Sequence, residues 1–148
     1  MPQPITKRSN AARLWVSLIV LAVVTLALGG CSTGQAKPTA VPTPYPAEIS
    51  VAQAAVKRDA GAFFLDVREP SEWSQAHIPG STLISLGELE KRVNEVPRDK
   101  EIVVVCQSGT RSKAGRDLLI NAGFTQVACM QGGLNEWKAA GYPTVAGP

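Results

Sequence analysis

The sequence has few aromatic residues and, beyond Arg13, no excess of either charge. Aromatic residues make up 5% of the 148 positions, and Lys7, Arg8 and Arg13 account for the whole formal net charge of +3. A protein that binds nucleic acid or anionic lipid through its surface charge usually carries a basic patch. The composition gives no sign of a basic patch, and we therefore expect no nucleic-acid partner.

The chain also lacks a second histidine, internal repeats and the length for a second large core. A chain of 148 residues with 45% hydrophobic content has room for one modest domain, because domains usually run from about 50 to about 250 residues. This length argues against a two-domain enzyme. His77 is the only histidine, and so the only ordinary candidate for acid–base work near neutral pH.

Residues 1–30 have the layout of a targeting segment, with a basic start followed by an uncharged apolar run over 14–28. The run ends in Leu28-Gly29-Gly30-Cys31, which resembles the lipobox of bacterial lipoprotein precursors. In a lipobox, small residues admit a signal peptidase and the Cys thiol is lipidated. We expect cleavage before Cys31, acylation by palmitate-type chains and a membrane-anchored location outside the cytoplasm. The alternative is an uncleaved anchor, since the run nearly reaches the ~20 apolar residues of a spanning helix.

Residues 31–47 are predicted to link the lipidated cysteine to a folded domain over 48–148. The linker contains Pro38, Pro42, Pro44 and Pro46 among small polar residues. This composition favours extended polyproline II and lacks the apolar surface needed to fold. The domain is therefore predicted to stand away from the bilayer on a stiff spacer.

From residue 48 onward, short apolar strands alternate with helical segments. The runs over 63–67 and 102–105 are apolar on both faces, which suits a parallel sheet covered by helices on each side. Ser50 and Ser71 are predicted to cap the first two helices, and Gly123 to close the helix after Cys106. The predicted helices cover 51–58, 72–76, 86–93, 110–121 and 133–140, and the predicted strands cover 63–67, 82–85, 102–105 and 126–130. The alternation predicts a three-layer α/β domain.

The segment that joins the strand over 102–105 to the helix over 110–121 is the candidate active-site loop. It places Cys106 at the carboxyl end of a strand, where ligands bind in open α/β sheets. The free N–H groups and the positive dipole end of the following helix stabilise an anion such as a thiolate, which is the nucleophilic form of cysteine. Gly109 permits a tight turn of inward-facing amides, and Arg111 offers a planar fork of donors. Taken alone, a Cys after an apolar strand is more often a buried hydrophobe.

Four motifs in a fixed order favour a nucleophilic role for Cys106 over a packing role. They are Asp66-Val67-Arg68-Glu69-Pro70 with Glu72-Trp73, then His77-Ile78-Pro79-Gly80-Ser81, then Cys106-x4-Arg111-Ser112, and last Gln131-Gly132-Gly133 with Trp137. In this order they resemble the signatures of the rhodanese family. The resemblance covers about residues 49–143, which is essentially the whole predicted domain.

The resemblance implies a five-stranded parallel sheet flanked by helices, and the transfer of sulfane sulfur through a persulfide on Cys106. The implied substrate-binding loop consists of Gln107, Ser108, Gly109, Thr110, Arg111 and Ser112. The implied partners are a small sulfur donor, either thiosulfate or a persulfide, and a thiol or cyanide acceptor. No metal and no organic cofactor is needed, and we expect a monomer.

Two other functions remain open on this resemblance: a non-catalytic docking module of the same fold, and a Cys-based phosphatase or arsenate reductase. Degenerate docking modules characteristically lose the Cys, so an intact Cys106 with Arg111 argues against the first. Relatives that act on phosphate or arsenate carry a longer Cys-x5-Arg loop. Here four residues, 107–110, separate Cys106 from Arg111, which favours sulfur.

Several residues around the motifs have a simpler expected role. Asp66 and Arg68 are supporting residues, expected to form an ion pair that orients the loop more than to contact substrate. The resemblance makes His77 structural. Trp73 and Trp137 are expected in the core. Lys113 and Arg116 are expected to be solvated, with Lys113 near enough to steer an anion. Cys129 is expected to be a packing residue, because it follows Val127 on one face of its strand.

Overall fold

A computed structural model of the protein describes residues 44–147. The predicted lipobox at Cys31 and most of the predicted linker lie outside these residues. The described part contains the strands β1 (Glu48–Ile49), β2 (Phe63–Asp66), β3 (Thr82–Leu83), β4 (Ile102–Val105) and β5 (Val127–Met130). The helices are α1 (Val51–Asp59), α2 (Pro70–Trp73), α3 (Leu86–Leu89), α4 (Thr110–Asn121) and α5 (Gly133–Ala139), with a 3-10 turn at Val93–Glu95.

The five strands form one sheet in the order β1-β5-β4-β2-β3, and every pair in it is parallel. β4 lies in the centre, where Val104 is opposite both Leu65 of β2 and Cys129 of β5. A parallel sheet needs a crossover connection between neighbouring strands, and the helices supply these connections. The predicted five-stranded parallel α/β fold is therefore confirmed.

Successive residues of β4 point to opposite faces of the sheet, and each face has its own apolar core. Val103 and Val105 belong to a buried cluster that contains Ala54 of α1 and Trp137 of α5. Val104 and Cys106 belong to the opposite cluster, with Leu89 of α3 and Leu119 of α4. The alternation thus explains both the all-apolar strand sequences and the three layers.

Most predicted elements are present, but several differ in extent. The helix predicted over 72–76 ends at Trp73, and the strand predicted over 82–85 covers only Thr82–Leu83. Helix α2 begins at Pro70 after Glu69, and Ser71 lies inside it, so the prediction that Ser71 caps this helix was wrong. Proline suits the first helical position because its φ is already helical and its missing N–H is not needed there. The helix predicted over 86–93 ends at Leu89, and the chain continues into the 3-10 turn. Strand β1 was not predicted, because two residues at a sheet edge leave no periodic signal.

Candidate active site

The Cys106 thiol lies immediately after β4, in the loop that leads into α4. Cys106 is 1% exposed, and the backbone N–H of Gly109 donates a hydrogen bond to Sγ over 3.1 Å. Gly109 has φ +96°, a conformation that a residue with a side chain rarely adopts, and this turns its N–H inward. The sulfur therefore faces a backbone donor at the N-terminal end of the 12-residue helix α4.

The amino-terminal end of α5 holds the same loop from behind. The backbone N–H of Leu134 donates to the carbonyl oxygen of Cys106 over 2.8 Å, and that of Asn135 donates to the carbonyl oxygen of Gln107 over 3.1 Å. Gly133 has φ +59°, and a Cβ at this position would meet the Cys106 carbonyl oxygen and lie 2.7 Å from the carbonyl carbon of Gln107. The close approach explains why glycine stands here. The sequence motif contained Gly133, but the contact became visible only in three dimensions.

The remaining loop residues divide between an interior and a rim. The buried hydroxyl of Ser112 donates to the carbonyl oxygen of Gly109 over 2.7 Å and so ties the loop to the first turn of α4. Ser108 and Thr110 are exposed at the rim. Gln107 donates through Nε2 to Oδ1 of Asn135. Of the six predicted loop residues, Gly109 contacts the thiol directly, and the substrate contacts of all six stay predictions.

Asp66 and Arg68 form the expected ion pair, and both are 1% exposed. Nη2 of Arg68 lies 2.7 Å from Oδ2 of Asp66 and also donates to the carbonyl oxygen of Ala76 over 2.8 Å. Nη1 of Arg68 donates to Oε1 of Gln107 over 3.1 Å. A buried charge is tolerated when it is paired and hydrogen-bonded. The paired Arg68 in turn holds the side chain of Gln107, the residue that follows Cys106.

The guanidinium of Arg111 is bound by a carboxylate that the sequence did not reveal. Both terminal nitrogens of Arg111 donate over 2.7 Å to the two oxygens of Glu72, which lies on α2. The Arg111 hydrogen bonds lower the pKa of Glu72 to about 2. The pKa of Arg111 is raised, chiefly by Glu72 and also by the nearby charges of Cys106 and Asp66. Since the Glu72–Trp73 motif gave only a sequence position, nothing in the sequence pointed to this partner.

Two further basic residues on α4 were expected to be solvated. Lys113 is exposed but pairs with Glu48 of β1 over 2.7 Å. Arg116 does not fit the expectation, because it is half-buried and its Nε donates to the carbonyl oxygen of Val127 over 3.1 Å. Glu48 of the edge strand β1 and Val127 at the start of β5 give these side chains partners that a helix viewed alone does not have.

Cys129 is buried in β5 and is not bonded to Cys106, since both thiols are free in the described part of the chain. Its Sγ donates to the carbonyl oxygen of Ala47 over 3.3 Å, and burial raises the pKa of the thiol. Together with Ser108, Thr110 and Lys113, it lines a cleft of about 390 Å³. This environment suits a packing residue, as expected, and the absence of a chemical role stays a prediction.

His77 has the surroundings of a structural residue. Its ring stacks on Trp73 with centroids 3.7 Å apart, and Nδ1 lies 3.1 Å from the carbonyl oxygen of Trp73. Its backbone pairs with Val145 in an isolated antiparallel bridge. Trp73 and Trp137 are both buried, as predicted for core residues. Over residues 44–147, no three His, Cys, Asp or Glu side chains are grouped as metal ligands, and no helix has the length and apolarity to cross a membrane.

The model of the rhodanese-like domain family matches residues 50–140, which include strands β2 to β5, the Cys106 loop and α5. The chain belongs to this family. The rhodanese-like domain thus accounts for nearly all of the described residues.

Known relatives support the same assignment. The chain is 35% identical over 91 residues to the thiosulfate sulfurtransferase GlpE of Pseudomonas syringae, an alignment that covers 62% of this chain and 85% of that protein. It is 42% identical over 82 residues to YrkF of Bacillus subtilis, covering 55% of this chain but only 44% of YrkF. The structure of a rhodanese-related protein from Thermoplasma volcanium superposes with a TM-score of 0.63 at 34% identity, covering 66% of this chain and 96% of that one. The chain therefore spans less than half of YrkF but most of the other two.

Proposed function

We propose that this rhodanese-like domain is a sulfurtransferase that carries sulfane sulfur as a persulfide on Cys106. The observation that carries the proposal is the position of Sγ, which lies after β4 against the N–H of Gly109, 3.1 Å away, at the start of α4. Backbone donors and a helix N-terminus stabilise a negative charge on sulfur. The same donors serve the thiolate before the transfer and the persulfide anion after it.

The proposed reaction has two half-reactions. The Cys106 thiolate attacks the outer sulfur of thiosulfate, an S–S bond forms to Cys106, and the S–S bond of the donor breaks to release sulfite. With a persulfide donor, the leaving group is a thiolate. An acceptor thiolate or cyanide then attacks the outer sulfur of the Cys106 persulfide, which releases the Cys106 thiolate and gives a new persulfide or thiocyanate. Neither half-reaction requires an external oxidant, a metal or an organic cofactor.

The proposal extends to where the domain works. The targeting segment and Cys31 support a lipidated protein held at the membrane outside the cytoplasm, since a signal layout followed by Gly-Gly-Cys is typical of lipoprotein precursors. One acyl chain binds a membrane only marginally, so we propose more than one chain on Cys31. A small donor and a small acceptor are the partners we propose there.

The test is the intact mass of the protein after incubation with thiosulfate. The protein should gain the mass of one sulfur atom, and cyanide should remove it. Cys106→Ser should abolish the gain while its melting temperature stays close to that of the parent, and Cys129→Ala should keep the gain. A parent protein that gains no sulfur from thiosulfate or from a persulfide would leave the docking-module alternative as the better account. Full turnover by Cys106→Ser would exclude the mechanism.

A further inference from the structure

Three cations lie on or against the Cys106 loop, and each of them is paired with a carboxylate. Arg68, which touches Gln107, pairs with Asp66 over 2.7 Å. The other two pairs are Arg111 with Glu72 and Lys113 with Glu48, each also at 2.7 Å. Within residues 44–147, the basic side chains of the site therefore bring no net positive charge. This neutrality bears on which sulfur donor the loop accepts.

The two classes of donor differ in charge. Thiosulfate is a dianion, and its leaving group, sulfite, is also a dianion. A persulfide carries at most one negative charge on its sulfur chain. Attack by a thiolate brings two anions together, which costs free energy unless positive charge compensates it. An electroneutral site therefore penalises thiosulfate more than it penalises a persulfide.

Glu72 is the carboxylate that neutralises the cation of the loop itself. Its two oxygens accept both terminal nitrogens of Arg111, and Oε2 also accepts the backbone N–H of Glu69 over 3.1 Å. The carboxylate is thus held in place from two sides before any donor arrives. A bidentate pair of this kind fixes the guanidinium plane as well as its charge. The other two pairs are either buried beneath the loop, as with Asp66, or more exposed, as with Lys113.

We propose that Glu72 is a specificity-determining residue that disfavours thiosulfate and leaves low-charge persulfides as the preferred sulfur donors of Cys106. The inference rests on the proposed sulfurtransferase function and narrows its donor class. Glu72 acts through Arg111, as a positioning and charge-compensating residue, and does not itself contact the reacting sulfur atoms. Because its pKa lies at about 2, the carboxylate stays charged throughout the pH range of such assays.

The test compares kcat/KM for thiosulfate and for cysteine persulfide, with cyanide as acceptor. Glu72→Gln should raise kcat/KM for thiosulfate about fivefold to tenfold, mainly through KM, and change the persulfide value by less than about twofold. The gain should shrink at high ionic strength, because salt screens the charge of the partly exposed Arg111 guanidinium. Glu72→Asp, which keeps the charge, should show a much smaller gain. An equal change with both donors, or a loss with thiosulfate alone, would overturn the proposal.

Two controls separate charge at the loop from other effects. Glu95→Gln breaks another bidentate pair, in which Arg92 donates over 2.7 Å to each Glu95 oxygen on the 3-10 turn. It should leave both kcat/KM values unchanged, whereas a matching gain with thiosulfate would overturn the role of Glu72. The double variant Glu72→Gln with Arg111→Ala should lose the gain, because no cation is then freed. Persistence of the gain without Arg111 would also contradict the proposal.

Measurements on the parent protein keep the inference testable even if Glu72→Gln fails to fold. The parent should prefer cysteine persulfide over thiosulfate by about tenfold or more in kcat/KM, and its thiosulfate rate should not fall as salt is added. A preference for thiosulfate, or a steep loss with salt, would overturn the donor assignment while leaving sulfur transfer intact. Failure of the proposed function is a different result, in which Cys106 gains sulfur from neither donor.

Discussion

At the residue scale, the contribution of each arginine near Cys106 is set by the carboxylate that faces it. Arg68 is fully buried and paired with Asp66, so it works as a structural support beneath Gln107. Arg111 is about one-third exposed, and both of its terminal nitrogens are bound to Glu72. Removing Arg68 therefore leaves a buried, uncompensated carboxylate, which costs more than the loss of a hydrogen bond, whereas removing Arg111 leaves the partly exposed Glu72 carboxylate unpaired.

Replacing Arg111 tests this charge argument directly. Arg111→Ala leaves the Glu72 carboxylate unpaired beside the loop, so it should lower kcat/KM for thiosulfate by about tenfold and the value for a persulfide by only about twofold. Steady-state kinetics with both donors measure the two effects. Arg92→Ala, which breaks the similar pair with Glu95, is the matched control. Equal losses with both donors would assign Arg111 a purely structural role.

For Cys129, a packing role and a redox role predict different experimental results. The thiol is buried, its pKa is raised, and its hydrogen bond goes to Ala47 rather than toward Cys106. Cys129→Ala should therefore keep full sulfur transfer after storage in air and lower stability only by the loss of a small buried side chain. Non-reducing peptide mapping of the parent should find no Cys106–Cys129 disulfide. A mapped bridge, or a folded variant without turnover, would make redox control the better account.

At this scale, the prediction and the structure agree for residues whose position is set by the order of strands and helices along the chain. Cys106 and Gly109 follow from a strand that runs directly into a helix, and that order is visible in the sequence. The partner of Arg111 was not visible, because Glu72 is 39 residues away and reaches Arg111 only after α2 packs beside the loop. Side-chain pairing across elements depends on packing directions that periodicity does not encode.

At the scale of elements, the loop is shaped by α5 as much as by the strand and helix that it joins. The first turn of α5 donates two backbone hydrogen bonds to the carbonyl oxygens of Cys106 and Gln107. These bonds use N–H groups that the helix itself cannot satisfy. The carbonyl oxygens of Cys106 and Gln107 are thereby engaged by α5, while the N–H of Gly109 donates to the sulfur.

A side chain at Gly133 should disrupt this contact. Gly133→Ala places a Cβ against the carbonyl groups of Cys106 and Gln107 in a backbone conformation with φ +59°. We expect the free energy of unfolding to fall by about 2–4 kcal/mol, and sulfur loading of Cys106 to weaken with it. Chemical denaturation and intact mass measure the two effects.

The matched control is Gly87→Ala on α3, where a Cβ would meet nothing within 4 Å. This variant should be neutral or more stable by up to about 1 kcal/mol, because alanine favours helix more than glycine does. If Gly133→Ala were as stable and as readily loaded as Gly87→Ala, the α5 contact would not shape the loop.

The boundaries of the elements could be predicted where a local signal marks them. Ser50 caps α1, with Gln53 completing a capping box, and the predicted end of that helix differs by one residue. The error at α2 arose because Ser71 and Pro70 are both residues that favour a helix start, and the helix begins at Pro70. Strand β1 depends wholly on pairing with β5, with Glu48 opposite Cys129, so no signal within its two residues could have revealed it.

At the scale of the whole molecule, the fold was predictable because its strands are buried on both faces and its helices cover both sides. Ile102–Val105 is fully buried, and alternate residues serve two separate cores. A sequence of that kind suits the centre of a parallel sheet, and four motifs in order identify the family. The strand order β1-β5-β4-β2-β3 places Cys106 after the central strand, where neighbouring elements approach its loop from both sides.

The location of the domain is the prediction that concerns the chain as a whole, and it depends on Cys31. If Cys31 is lipidated, Cys31→Ser should block cleavage of the targeting segment, so that the full-length precursor accumulates and labelled palmitate is not incorporated. Cys129→Ala removes a cysteine without touching the lipobox, and it should be processed normally. Immunoblotting of membrane and soluble fractions, with intact mass of the mature protein, measures the outcome. Normal cleavage and membrane retention in Cys31→Ser would refute the lipoprotein assignment, because a cleaved chain without an acylated cysteine has no anchor in the proposed arrangement.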